Sequence, residues 1–251
     1  MFPLRDENPT VRRPVATVAL IAVNVLVWIL VQGVGSEPTL SASVCQWGLM
    51  PAELLGQIKP GTVVDLGRVR CELGTGVAGL NVVSSMFMHG GWFHILSNMW
   101  FLWVFGDNVE DAMGPARFVA FYVLCGVGAA LAQVLSGPAS VVPMVGASGA
   151  IGGVMGAYAR LYPRARVHML VFFGFIFTVS VPAIVVLGYW FLLQLLEGTM
   201  SLGATAGGVA FWAHIGGFIA GLALIGPMHK KEFVRQHATQ QARQTARYRW
   251  G

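Results

Sequence analysis

A hydroxyl, two imidazoles and a carboxamide stand out in this chain because each lies inside a run of apolar residues: Ser148, His214, His94 and Asn98. Strongly polar side chains are costly in hydrocarbon, so those within apolar segments are the first candidates for chemistry. A hydroxyl beside an imidazole is a nucleophile with its general base, the pairing of acyl transfer. His94 and Asn98 stand one helical turn apart and can aim N–H donors at one point. Convergent donors are what a developing oxyanion needs.

Composition says what must position them. Of 251 residues, 55% are apolar and only 11% charged, whereas soluble domains average about 25% charged. So little charge cannot coat a water-exposed globule. The chain is too apolar for disorder, has no Gly-X-Y period and holds only 3 cysteines, too few for a disulfide scaffold. An all-α polytopic membrane protein remains. A helix needs about 20 apolar residues to cross roughly 30 Å of hydrocarbon, and such runs lie at 15–34, 92–111, 117–136, 145–161 and 207–226. The first follows Arg12 and Arg13 but outruns the roughly 7 to 15 residues of a signal-peptide core, so it is read as retained. The stretch 167–197 exceeds one crossing and is either one span with an interfacial preamble or two spans, with Pro182 at the break.

Charge decides the count, because short cytoplasmic loops collect Lys and Arg. With six spans and both termini inside, only Lys59, Arg68 and Arg70 of the 16 basic residues lie outside. A seventh span would expel the basic tail. The net charge of +5 then reflects residues flanking helices at the inner, anionic leaflet, and it is no argument for nucleic acid. The expected organisation is a cytoplasmic segment 1–14, a six-helix domain 15–227 with an outer loop at 35–83, and a basic cytoplasmic tail 228–251, frayed or lying on the surface. Cys45 and Cys71 share the outer loop and can pair if the outside is oxidising; Cys125 lies inside the third span as a packing residue.

Spans two, four and six run from outside to inside in this topology. At 1.5 Å per residue, His214 and Asn98 lie roughly 10 Å below the outer ends of their helices, and Ser148 is somewhat shallower. The candidates share one layer. Ser148, Gly152 and Gly156 form a stripe on one helix face, as do His214, Gly217 and Gly221 on another. Small-residue stripes let helix backbones approach closely in lipid, so spans four and six can pack until the hydroxyl reaches the imidazole.

These residues sit in recognisable motifs: His89-Gly90-Gly91-Trp92-Phe93-His94-Ile95-Leu96-Ser97-Asn98-Met99, Gly106-Asp107-Asn108-Val109-Glu110, Gly146-Ala147-Ser148-Gly149 and Ala213-His214-Ile215-Gly216-Gly217-Phe218. In that order the chain resembles the rhomboid family of intramembrane serine proteases over roughly residues 15–227. The resemblance implies a six-transmembrane-helix bundle with a large outer loop between helices 1 and 2. It implies Ser148 as nucleophile and His214 as base, with His94, Asn98 and the Ser148 N–H as oxyanion hole. Gly146, Gly149, Gly152, Gly156, Gly217 and Gly221 then pack the helices around the site. Substrates would be single-span transmembrane proteins unwound near the outer surface, admitted from the bilayer past a loosely held fifth span at 181–196. No cofactor or metal is implied, and the expected location is a bacterial inner membrane.

The residues agree that no third acid is at hand: there is no Asp or Glu from 112 to 196, and Glu197 falls at the outer end of span five. Gly152 stands where some relatives have a Tyr that stacks on the catalytic His, which leaves Trp212 or Phe211 as the expected support for the His214 ring. The Trp-Arg pair common in the family's outer loop is absent. Glu110 is expected to make a structural hydrogen bond. Two other classes stay open. An inactive client-escorting relative usually lacks the Ser or the His, both present here. A metal-dependent protein or transporter would use His89, His94 and His214, yet neither His-Glu-x-x-His nor a cysteine cluster occurs.

Overall fold

Residues 2–67, 69–74, 77–172, 174–200 and 210–250 are described in a computed structural model, with side chains to 242. In chain order the elements are β1 (Phe2–Asp6), α1 (Val15–Leu30), α2 (Thr39–Trp47), α3 (Pro51–Leu54), β2 (Thr62–Asp65), β3 (Arg70–Leu73) and α4 (Ala78–Ser84). Then follow α5 (Trp92–Met113), α6 (Pro115–Ser136), α7 (Ser148–Leu161), β4 (Arg166–Phe172), β5 (Ile176–Pro182), α8 (Ala183–Met200), α9 (Phe211–Met228) and α10 (Lys231–Trp250).

Local chemistry sets the boundaries. α5 passes into α6 at Gly114, whose φ of 84° disfavours any side chain, and Pro115 opens the next helix where its missing N–H costs nothing. α1 has no cap of its own. Instead the Glu110 carboxylate accepts hydrogen bonds from Ala16 N at 2.9 Å, Thr17 N at 2.7 Å and Thr17 Oγ1 at 2.8 Å. A negative group thereby meets the positive end of the α1 dipole, a structural role as expected for Glu110.

Glycine contacts give the helix directions. Gly149 meets Gly217 and Gly153 meets Gly221, so α7 and α9 run parallel; Gly128 meets Ala220 while Gly216 meets Ala132, so α6 runs against α9. A Cβ on Gly217 would lie 1.9 Å from the Gly149 carbonyl oxygen, and one on Gly221 1.9 Å from that of Gly153. α9 is wedged between α6 and α7. Phe105, Phe118, Phe121, Tyr122 and Tyr158 fill the core around them, all fully buried.

The stretch 167–197 takes neither expected form in full. Its first part is an antiparallel hairpin of β4 and β5, and β1 adds as a third strand in the order β1-β4-β5. Phe2 stands opposite Leu170, and Val167 opposite Val181. An apolar run interrupted only by His168, Thr178 and Ser180 reads as helix or as buried strand, and the deciding partner lies at the far end of the chain. α8 begins directly after Pro182, the expected break. Of the helices, α6, α8 and α9 are long and apolar enough to cross a membrane by length and composition. α1 and α7, at 16 and 14 residues, are shorter, and α5 carries Asp107, Glu110 and Asp111 near its end.

The 35–83 loop is a small folded unit in which a Cys45–Cys71 disulfide joins α2 to the β2–β3 hairpin, with Cα atoms 5.2 Å apart. Cys125 is a buried free thiol whose Cβ faces Gly153, a packing position. At the opposite end the N-terminal segment and the tail are woven together rather than loose. His237 of α10 is buried and bridges Asp111 Oδ2 at 3.2 Å and Asn8 Oδ1 at 2.7 Å. Of the last expected span, 207–209 lie outside the described residues, as does Arg68.

Candidate active site

Three helix starts converge. Ser148 is the first residue of α7, His214 lies in the first turn of α9, and His94 in the first turn of α5. His214 Nε2 is 2.7 Å from Ser148 Oγ. The backbone contacts of Gly217 on Gly149 and of Gly221 on Gly153 allow this approach, since any side chain there would push α9 away. Gly152 and Gly156 continue the seam, their added Cβ atoms meeting the carbonyl oxygens of His214 at 3.1 Å and Phe218 at 2.3 Å.

His94 arrives from the other side. Its Nδ1 accepts the Gly90 N–H at 3.2 Å, which leaves the ring proton on Nε2. That nitrogen points at the loop before Ser148. A Cβ on Gly146, which has φ of 125°, would lie 2.7 Å from His94 Nε2 and 3.5 Å from Ser148 Oγ. Gly146 therefore serves the site twice, by its backbone conformation and by leaving room for an imidazole. The Ser148 N–H, at the helix start, has no intrahelical acceptor. Asn98 lies one turn deeper on α5, where its Nδ2 donates to the His94 carbonyl at 2.9 Å. One amide hydrogen of Asn98 remains for another acceptor.

The segment before α5 is held from behind. Gln32 accepts the His89 N–H and donates to the His89 carbonyl, both at 2.8 Å. His89 itself is fully buried, its ring edge-on to His94 at 5.2 Å between centroids. Burial first, and the nearby His94 second, push the His89 pKa down to about 3, so it stays neutral and apolar in its packing. A cavity of about 20 Å³ lies beside Ser148, lined by Ser85, Met86, Ala129, Met144, Gly149 and Ala213. It has room for one water or a methyl group.

Two residues at the site escape a scan for costly polar groups. Gln194 of α8 brings Oε1 to 2.6 Å from His214 Nδ1. Trp190, one turn earlier on α8, lies against the His214 ring at 5.8 Å and approaches the space left by Gly152 to 3.7 Å. The ring beside His214 is thus Trp190, not the expected Trp212 or Phe211. The available signal was a single amide within an otherwise apolar run, one turn after a Trp. Among the described residues no cluster of three or more His, Cys, Asp or Glu forms a metal site.

Fold and site together define a helical membrane-type bundle with a hydroxyl–imidazole pair near one end. The Rhomboid domain model matches residues 78–231. The chain belongs to the rhomboid family. It is similar to "Rhomboid protein 1, mitochondrial" of Saccharomyces cerevisiae, 29% identical over 149 residues that cover 57% of this chain and 40% of that protein. RHOMBOID-like protein 5 of Arabidopsis thaliana is 35% identical over 104 residues, 41% of this chain and 33% of that one. Rhomboid-like protease 5 of Toxoplasma gondii is 33% identical over 135 residues, 52% of this chain and 15% of that one. The matched stretch thus spans less than half the length of each of these relatives.

Proposed function

We propose that the protein is an intramembrane serine endopeptidase that cleaves single-span membrane proteins near the outer surface. The observation that carries this reading is the 2.7 Å approach of Ser148 Oγ to His214 Nε2 between two glycine-faced helices. In the proposed reaction His214 Nε2 takes the Ser148 proton as Oγ bonds to a substrate carbonyl carbon. The resulting oxyanion is met by the Ser148 N–H, His94 Nε2–H and Asn98 Nδ2–H. The tetrahedral adduct expels the amine, which takes the proton from His214. A water then attacks the acyl-enzyme with His214 again as base and frees the acid.

In this reading α1, α5, α6, α7, α8 and α9 are the six spans of a domain at 15–227, with both termini cytoplasmic. The placement of the disulfide in the 35–83 loop supports that loop as the oxidising, outer side. Substrate entry past 181–196 is supported by an apolar cleft of about 530 Å³ lined by Phe101, Met155, Val181, Val185, Trp190 and Leu193. The partners are the bilayer and a helix whose carbonyls must unwind before attack; no cofactor or metal takes part. The expected bacterial inner membrane finds no support in the relatives, some of which carry mitochondrial names.

The test is cleavage of a model single-span substrate in liposomes by wild type, Ser148→Ala and His214→Ala, with a fluorophosphonate to map the labelled residue. Cleavage and Ser148 labelling by wild type alone is expected. Equal cleavage by all three proteins overturns the reading.

A further inference from the structure

Resting on the serine protease reading, we propose that Gln194 is an uncharged positioning residue that fixes the tautomer of His214, completing a serine–histidine–glutamine relay. A neutral imidazole carries one ring proton. To accept from Ser148, His214 must keep Nε2 bare and carry that proton on Nδ1. An acceptor facing Nδ1 selects this form, and Gln194 Oε1 stands there at 2.6 Å.

The placement of the amide argues the same way. α8 is mostly apolar and exposed, with only Ala183, Leu187, Gln194 and Gly198 buried. A buried polar side chain on such a helix costs free energy unless paired, and what Gln194 turns inward to meet is the base. A carboxylate would orient the ring equally well but would place a full charge at a depth where charge is expensive. An amide orients without that cost, and forgoes electrostatic help to the imidazolium. Trp190, one turn away on the same helix, limits tilting of the ring it lies against. From the other packed elements His214 meets Ser148 of α7 and His94 of α5; among the described residues His94 is its titratable neighbour.

The experiment uses full-length protein in liposomes: wild type, Gln194→Met, which keeps size but loses the acceptor, and Gln194→Glu, which keeps it and adds charge. Histidine ¹⁵N NMR of wild type should show His214 protonated on Nδ1, a readout independent of turnover. Gln194→Met should scatter the tautomers and lower kcat and fluorophosphonate labelling by about tenfold or more with KM unchanged. Gln194→Glu should restore most of the rate and move the acid limb of the pH–rate profile upward by about one to three units.

A wild-type His214 protonated on Nε2 overturns the proposal whatever the variants do. So does a Gln194→Met protein with native tautomer and rate, or equal losses in both variants with an unmoved acid limb, which would make Gln194 only a tie between α8 and α9. A wild type with the expected tautomer but no cleavage or labelling leaves the tautomer assignment standing and removes the protease reading instead.

Discussion

His94 donates toward the serine loop because its other nitrogen is occupied by the Gly90 N–H. His94→Ala should therefore lower kcat about a hundredfold to a thousandfold with little change in KM, the pattern of a lost transition-state donor, in steady-state cleavage assays. Ser148, His214, His94 and Asn98 were legible as a group because hydroxyls, imidazoles and amides in apolar runs attract attention. Gln194 was not: one amide in a long run carries weak signal, and its importance lies in a contact between helices. Asp6 shows the same limit away from the site. It accepts from Tyr158 Oη at 2.5 Å, and burial above all raises its pKa from 3.8 to about 6. The folded state thus holds a proton that the unfolded chain releases, and stability from this group is greatest below about pH 3.8 and declines as pH rises through about 6. Asp6→Asn should flatten that decline, worth up to about 3 kcal/mol, in thermal unfolding followed from pH 4 to 8.

Between helices, the decisive quantity is backbone separation. The α7–α9 seam leaves no room for a methyl group at Gly217, where the added Cβ would fall 1.9 Å from a carbonyl oxygen. Gly217→Ala must push the helices apart by more than an ångström to reach ordinary contact, and a misplacement of that size costs about a hundredfold in rate. Gly188 on α8 is the control, with nothing within 4 Å of an added Cβ. Gly188→Ala should keep full activity and gain roughly 0.5 to 1 kcal/mol of stability from the helix preference of alanine. The glycine stripes were readable because their spacing repeats along one helix face. The β1-β4-β5 sheet was not. Residues 167–172 are apolar but for His168, with no alternation to betray a strand, and β1 sits in a segment whose charges suggested a cytoplasmic lead-in.

At the scale of the whole molecule, charge patterning gives an expectation of which segments share a side of the membrane but says nothing of how they are tied. The ties join residues about a hundred or more positions apart, which no local pattern reports. Asp111, near the end of α5, accepts from Val11 N at 3.1 Å, Arg12 N at 3.0 Å, Arg12 Nη1 at 3.0 Å and His237 Nδ1 at 3.2 Å. One carboxylate thereby fastens the N-terminal segment, α5 and α10 together, while Lys230 N donates to Ala112 O beside it at 2.8 Å. Its side chain is fully buried, so removing it leaves the buried His237 without this partner and unpairs Arg12, whose side chain is 27% exposed. His94 lies about 25 Å away along the same helix at 1.5 Å per residue. Asp111→Ala should therefore destabilise the protein by about 3 to 5 kcal/mol in denaturant titrations. Below its unfolding midpoint the variant should label Ser148 with fluorophosphonate at the wild-type rate. A variant that kept its stability would mean that Asp111 does not hold these segments together, and one that lost labelling while still folded would mean that the two ends of α5 are not independent.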